Sequence, residues 1–370
     1  MKKNILIVLS ALNMGGAQRN ASILANEWAK AGYKVTLICT HEEEIVNHFL
    51  IHKDVNLIIF RKNFFTSKFR FLNLLRKLFK LRKIIKSQDP DVIISFLARI
   101  NLAAALANLG TKKSLIICER TWPPFASLNN NFAWFYNFLF KGVHKVIVQT
   151  EKSRIWLNEN FSFKNIAVIP NPVKYPLPSE KHKNVNPNDF ILNGKKIILA
   201  SGRMHKHKQF DLLIKAFHGI KDRHKLWNLV ILGDGEEREN LVEILKEKKI
   251  EDRVFFPGKV TNISDWYSAS ELFVLSSMVE GFPNVLLEAM SYGVPSISFD
   301  CDTGPREIIE DKVNGILVSP NEKEIGLYKA LDELIKDEKL RKKISKKAIM
   351  VRDKYSIENI MLKWNESLKT

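Results

Sequence analysis

The chain has 370 residues, with 58 Lys and Arg against 40 Asp and Glu, a surplus of eighteen positive charges. Hydrophobic residues make up 45% of it, which excludes a disordered chain, and its length exceeds what one core usually serves, so two domains are expected. Cys39, Cys118 and Cys301 lie far apart and match no metal spacing, which argues against a disulfide framework and points to a reducing compartment.

The start, Met1-Lys2-Lys3 followed by Ile5–Leu9, imitates a secretory signal. The apolar run is short, however, and enters Asn13–Arg19 without a convincing cleavage site, so it reads as a buried strand and a glycine turn in a protein that stays in the cytoplasm. No stretch reaches the roughly 18–20 apolar residues of a membrane-spanning helix. Gly15-Gly16 lead into a helix from about Ala17. Glycine lets a backbone approach a ligand, and a helix start offers N–H groups to an anion, although paired glycines at such a turn can equally be structural.

Further strands are predicted at 34–39, 56–60, 92–96, 115–118 and 145–148, then at 196–200, 228–232, 253–256, 272–275 and 295–299. They are Ile- and Val-rich without polar alternation and are separated by helical stretches. Strands buried on both faces in this way indicate doubly wound parallel sheets, here occurring twice: an α/β fold of two Rossmann-like domains. Pro170, Pro172, Pro176, Pro178 and Pro187 crowd the seam. The expected division is a first domain over 1–172, a linker over 173–194, a second domain over 195–352, and a C-terminal helix over 353–370 packing back toward the first domain.

In such folds ligands meet the carboxyl ends of the strands, and the informative residues follow strands here. Ser201-Gly202-Arg203, with Lys208 five residues beyond the arginine, ends one strand. Two fixed cations there suit a diphosphate and the charge on a leaving group; the alternative is a solvated basic loop shared with His205, Lys206 and His207. The segment Glu280–Glu288 follows Ser276-Ser277 at another strand end and opens a helix near Asn284, whose first amides favour phosphate. Glu288, one turn in, can accept the hydroxyls of a ribose diol, and Glu280 can meet a second polyhydroxylated group. The alternative, a capped helix with surface carboxylates, fits the Gly-Phe-Pro turn poorly.

These segments together resemble the retaining glycosyltransferases of family four, whose GT-B fold has two facing Rossmann-like domains. The resemblance covers nearly the whole chain. It rests on Gly15–Arg19, Ile169-Pro170-Asn171-Pro172, Ser201-Gly202-Arg203 with Lys208, Gly233-Asp234-Gly235, Phe256-Pro257-Gly258, and the Glu280/Glu288 pair with its Gly-Phe-Pro-Asn core. It implies that Arg203 and Lys208 bind the donor diphosphate, Glu288 the ribose and Glu280 the donor sugar. Gly16, Gly258, Val260, Phe282, Asn284 and Val285 would also line the donor site. Transfer with retention and without a metal or other cofactor is implied, as is a front-face mechanism in which the protein mainly positions and stabilises charge. Many relatives carry a donor-contacting histidine where this chain reads Cys118-Glu119-Arg120, so Glu119 or Arg120 takes its place. Lys208 is followed by Gln209 in place of a frequent glycine. Asp300-Cys301-Asp302 spells a metal motif of another glycosyltransferase fold, but its context argues against metal binding, and the nine histidines show no ligand spacing.

The charge is unevenly placed. Residues 1–172 hold 25 basic and 10 acidic side chains, residues 173–370 hold 33 and 30, and residues 61–86 alone hold ten basic and none acidic. The last segment reads as a helix with an apolar stripe of Phe71, Leu74, Leu78, Leu81 and Ile85 against the domain. Its other side mixes Lys68, Arg76, Lys80 and Lys83 with Phe69, Leu72 and Phe79, a composition suited to an anionic bilayer. The aromatic run over 122–140 suits an interface or an acceptor site. No nucleic-acid module is recognisable, so nucleic acid is not expected as a partner. The expected activity is transfer of a UDP-hexose or UDP-N-acetylhexosamine sugar to a lipid-linked glycan at the cytoplasmic membrane face. The alternatives are a soluble GT-B transferase with a free acceptor, a nucleotide-sugar epimerase of the same fold, and a non-catalytic nucleotide-sugar-binding protein.

Overall fold

The computed structural model describes residues 2–12, 15–41, 50–60, 70–125, 141–178, 185–191 and 194–369. Lys68, the first part of the expected basic helix and the aromatic run beyond Phe125 lie outside them.

The chain forms two compact units, Met1–Asn171 with Ile360–Thr370, and Pro172–Asn359. In the first, the strands are β1 (Asn4–Leu9), β2 (Lys34–Cys39), β3 (Val55–Ile59), β4 (Val92–Phe96), β5 (Ser114–Cys118), β6 (Lys145–Val148) and β7 (Ile166–Val168). They pair in parallel in the order β3-β2-β1-β4-β5-β6-β7. Helices α1 (Gly16–Lys30), α2 (Arg70–Gln88), α3 (Ala98–Asn108) and α4 (Glu151–Asn160) connect them. Ile5–Leu9 are buried throughout, as a central strand covered on both faces must be.

The second unit repeats the plan with β8 (Lys196–Ser201), β9 (Trp227–Leu232), β10 (Val254–Gly258), β11 (Ser270–Leu275), β12 (Ser296–Phe299) and β13 (Ile316–Val318), all parallel, in the order β10-β9-β8-β11-β12-β13. Its helices are α5 (Phe210–Ile220), α6 (Arg238–Lys248), α7 (Ile263–Ala269), α8 (Asn284–Ser291), α9 (Pro305–Ile308), α10 (Lys323–Lys336), α11 (Glu338–Ala348) and α12 (Val351–Lys354), and α13 (Ile357–Ser367) returns to the first unit. In each sheet the winding reverses once, between β1 and β4 and between β8 and β11. Loops leaving the strand ends there diverge and open a crevice, the usual ligand position in such sheets.

Three expectations change. Residues 173–177 of the expected linker lie on the second unit: Val173 N–H donates to the Tyr355 carbonyl at 2.8 Å, Leu177 N–H to Tyr292 Oη at 2.9 Å, and the Arg352 guanidinium lies 3.4 Å from the Tyr175 ring centroid. The expected helix over 353–370 is interrupted at Tyr355-Ser356, because Ser356 Oγ accepts from Asn359 N–H and starts α13 anew. The Phe71 side chain lies outside the described ones; among those described, the apolar stripe of α2 is fully buried at Leu81 and Ile85, while Leu74 stands 52% exposed. The solvent face of α2 carries Leu72, Arg76, Phe79, Lys83 and Lys86 at helical spacing. Lys80 is not on it: its ammonium sits 4.6 Å over the Phe60 ring, half-buried. Trp122 is likewise buried, 6.2 Å from Trp156.

Candidate functional site

The crevice of the second unit gathers most of the residues singled out by sequence. Beyond β8, Gly202 N–H donates to the Leu232 carbonyl at 3.0 Å and Met204 N–H to the Asp234 carbonyl at 2.9 Å, so the loop lies flat against Gly233-Asp234-Gly235. A Cβ on Gly233, whose φ is +123°, would overlap the Gly202 carbonyl oxygen, and one on Gly235 would overlap that of Met204. Glycine is required at both places because two backbones touch. Gly258, at φ +88°, accepts from Gly233 N–H and fixes the same loop from the other side.

This packing aims Arg203 outward, 74% exposed, with Nη2 3.1 Å from Glu236, which also lies 3.2 Å from His205 Nε2. The Glu236 carboxyl is held below the usual range by its own backbone N–H first, then by these cations. A short 3₁₀ turn, Lys206–Lys208, follows, and its end requires a left-handed residue: Gln209 takes φ +48° where the glycine of many relatives would sit without cost.

Lys208 points back into the crevice, its Nζ 2.5 Å from Glu280 Oε1. Two contacts stitch this loop to the one after β11: Ser276 Oγ donates to the Lys208 carbonyl at 2.7 Å and Met278 N–H to the His207 carbonyl at 2.8 Å. Behind Glu280, Thr303 donates to its carbonyl, and Gly304 (φ +99°) lets the loop pass, since a Cβ there would come 2.6 Å from Pro283. Pro283 caps α8 in extended conformation, placing Asn284 and Val285 in its first turn. Glu288 is 5% exposed, and its Oε2 accepts from Tyr267 Oη on α7 at 3.1 Å.

The structure thus brings Lys208 and Glu280 together, Asn284 and Val285 open the helix that follows Glu280, and Arg203 leaves the same loop as Lys208. Phe282 packs on Tyr355, ring centroids 5.5 Å apart, and Val260 is buried. Asp300 is taken by Arg306, with Nε 3.0 Å from Oδ1, so its D-x-D is a structural pair. Among the described residues no three His, Cys, Asp or Glu side chains form a metal-binding group. All three cysteines are free and buried, their thiols pushed up to about 12 chiefly by burial.

The crevice of the first unit holds Gly15-Gly16 and the segment after β5. Gly16 opens α1, and Asn20 one turn on donates to Asn171, explaining the asparagine between two prolines. Asn171 Oδ1 also accepts from Arg120 Nη1 at 3.2 Å. Arg120 is buried between the rings of Phe96 and Trp364, 4.9 and 5.7 Å from their centroids. Glu119 is buried beside it, its carboxyl raised to about 7 by burial and drawn partly back by Asn101 and Arg120. Asn101 donates to Glu119 Oε1 at 2.8 Å. Sequence reasoning missed Tyr267, Asn101 and Asn20. Only the last carried a local signal, lying one turn beyond the glycine pair.

Residues 183–350 match the family Glycosyl transferases group 1, and residues 14–175 match Glycosyltransferase Family 4. The amylovoran biosynthesis glycosyltransferase AmsD of Erwinia amylovora is 30% identical over 100% of both chains. A Campylobacter jejuni enzyme named GalNAc-alpha-(1->4)-GalNAc-alpha-(1->3)-diNAcBac-PP-undecaprenol alpha-1,4-N-acetyl-D-galactosaminyltransferase is 28% identical over 97% of this chain and 96% of its own. Among solved structures, Anabaena HepE in complex with UDP and glucose superposes with a TM-score of 0.83 at 17% identity, covering 99% of each chain, which shows the fold. With two parallel-sheet units of GT-B type and a relative of this identity from end to end, the chain belongs to the glycosyltransferases, its first unit of family four and its second of group 1.

Proposed function

We propose that this glycosyltransferase moves a hexose or N-acetylhexosamine from a UDP-sugar to a hydroxyl of a lipid-linked glycan at the cytoplasmic face of the membrane, retaining anomeric configuration and using no metal. The observation that carries the reading is the Lys208–Glu280 pair beside the start of α8, with Arg203 on the loop of Lys208 and Glu288 one turn further on. When the glycosidic bond breaks, its electron pair leaves with the nucleotide diphosphate. Arg203, Lys208 and the first amides of α8 stabilise that charge, and Lys208 exchanges Glu280 for phosphate as the donor enters. Glu280, so released, accepts a hydroxyl of the donor sugar, and Glu288, steadied by Tyr267, accepts the ribose hydroxyls. The acceptor hydroxyl adds to the anomeric carbon on the face the nucleotide leaves, and its proton goes to a diphosphate oxygen, so no separate nucleophile is needed.

Two relatives support the finer points. HepE is described with UDP, and the C. jejuni enzyme is named for an undecaprenol-diphosphate glycan. The membrane face rests on α2, where Leu72 and Phe79 stand 43% and 71% exposed among Arg76, Lys83 and Lys86. No helix of the described residues is long and apolar enough to cross a bilayer.

The test is a panel of nucleotide-sugars with extracted lipid-linked glycans, read by mass spectrometry. A UDP-sugar should be consumed only when acceptor is present, and Arg203→Ala or Lys208→Ala should each lower transfer by roughly 100- to 1,000-fold, the usual loss for a group stabilising a developing anion. Conversion of the nucleotide-sugar without acceptor would favour an epimerase. Transfer to water-soluble glycans alone would favour the soluble alternative.

A further inference from the structure

We infer that His205 is a positioning residue for the two cations of the second unit's crevice. Its neutral imidazole caps the turn that presents Lys208 and ties Glu236, the partner of Arg203, and protonating its second nitrogen undoes that hold. The role rests on the sugar-transfer reading above.

His205 stands in extended conformation one residue ahead of the 3₁₀ turn Lys206–Lys208, and its Nδ1 accepts from the His207 backbone N–H at 3.2 Å. The first amides of a helical turn have no carbonyl to meet, and Ser, Thr, Asp or Asn usually supplies the missing acceptor. Here an imidazole supplies it, and an imidazole titrates. A ring nitrogen that accepts carries no proton, so neutral His205 must hold its proton on Nε2. Nε2 lies 3.2 Å from Glu236 Oε1, and the other oxygen of that carboxylate, Oε2, lies 3.1 Å from Arg203 Nη2. One ring thus holds the turn of Lys208 with one nitrogen and the partner of Arg203 with the other.

The turn places Lys208 with little slack. The His205 carbonyl accepts from Lys208 N–H at 2.8 Å, and the lysine side chain then runs over Gly202, where an added Cβ would come 3.2 Å from Lys208 Cε. Its Nζ ends 2.5 Å from Glu280 Oε1. Where the turn ends, Gln209 holds φ +48° without being glycine. A side-chain-bearing residue in that region is an observed strain, which the contacts around it, the cap included, must hold.

Protonation sets donor against donor. An imidazolium at 205 presents Nδ1–H to the His207 N–H, and the ring has to swing away. The charged and titratable groups around it are Arg203, Lys208 and the His207 ring on its own loop, Glu236 from the loop after β9, and Glu280 beyond Lys208. The two imidazoles lie with centroids 4.3 Å apart, and His207 is held below its ordinary value by burial first and then by His205. His207 is therefore the second titrating ring from which His205 has to be told apart.

The experiment follows kcat/KM of the full chain, with the UDP-sugar and glycan that the panel identifies, from about pH 8 to about pH 5, where histidines titrate. Wild type should lose roughly 3- to 30-fold toward the acid end, the usual loss for a missing cap. His205→Ala should be low by that factor throughout. His205→Asn, whose side-chain oxygen caps at any of these pH values, should recover the alkaline value and keep it in acid. His207→Ala retains the backbone donor and should retain the acid loss. Ring ¹⁵N NMR of the chain without substrate reads the tautomer: the resonances that vanish in His205→Asn should be those of a neutral imidazole protonated on Nε2. An acid loss in His205→Asn equal to that of wild type overturns the inference and leaves the transferase reading intact. So does a neutral His205 protonated on Nδ1. A wild-type kcat/KM that rises toward pH 5 also overturns it, since the ring would then serve the diphosphate as a charge. A wild-type chain that transfers no sugar to any acceptor instead removes the reading on which the inference stands.

Discussion

A buried carboxyl that titrates near 7 carries a stability consequence. Folding raises the Glu119 value from its ordinary 4.5, so between those pH values the native state binds more protons than the unfolded one. Stability from this group is therefore fully present below about 4.5 and is lost as pH rises through 7. Glu119→Gln, neutral throughout, should melt higher than wild type above pH 7 by an amount on the order of 3 kcal/mol at most, and the gap should close by pH 5. Thermal melts at pH 5, 6, 7 and 8 check this; a gap independent of pH would contradict it. Arg120 beside it is pulled below its ordinary value by burial, and the rings of Phe96 and Trp364 on either side of its guanidinium replace part of its lost hydration. At this scale the sequence was legible where chemistry follows spacing. Glu280 and Glu288 sit eight residues apart on one loop-and-helix segment, and Lys208 follows Arg203 within one loop. Tyr267 was not legible, because it reaches Glu288 from another helix and nothing in its own neighbourhood announces the contact. Asn101 looked like any polar residue near a strand end until the fold brought Glu119 to it.

The elements followed from composition more directly. Six of the first sheet's strands stood out as short Ile- and Val-rich runs, and β1, β2, β4 and β6 occupy the expected residues. The edge strands β7 and β13 escaped notice because three residues give no periodicity to read. Helix α2 shows the limit of a stripe argument. Spacing identifies a helix and an apolar side, yet burial is decided by what the neighbouring elements cover, and they cover Leu81 and Ile85 while leaving Leu74 in solvent. The same exposure yields a graded expectation for the membrane proposal. Replacing Arg76, Lys83 and Lys86 together by Glu should weaken binding to phosphatidylserine vesicles by more than about 100-fold in a flotation assay, at about 1 kcal/mol for each lost cation. Lys80→Glu alone should do less, since its ammonium already lies over Phe60. Equal loss from both variants would mean that overall charge matters and the face of α2 does not.

Over the whole molecule, two chain crossings separate the units, at Asn171-Pro172 and at Asn359-Ile360. The second carries α13 home, and the helix is bound there by specific contacts. Trp364 is fully buried edge-on to Trp28 at 5.8 Å, Trp28 Nε1 donates to Asn365 at 2.9 Å, and Lys145 reaches the Ser367 carbonyl at 3.1 Å. Trp364→Ala should cost the first unit about 3–5 kcal/mol, the usual price of emptying such a site, while Leu362→Ala, 61% exposed, should cost little. Calorimetry should show the first unit's transition falling and the second unit's transition staying in place; both transitions falling equally would refute this assignment. The break before this helix at Ser356 was not legible in the sequence, because the cap acts through one side chain.

The return of α13 sets an order of events during synthesis. The N-terminal unit emerges from the ribosome first, yet the partner of Trp28 is not made until all of Pro172–Asn359 has followed. The second unit can therefore close around its own contiguous core while the first still lacks its last helix and keeps an apolar seam open. A protein read from its amino end would in this case finish folding at that same end, with the nascent first unit the one in need of shelter.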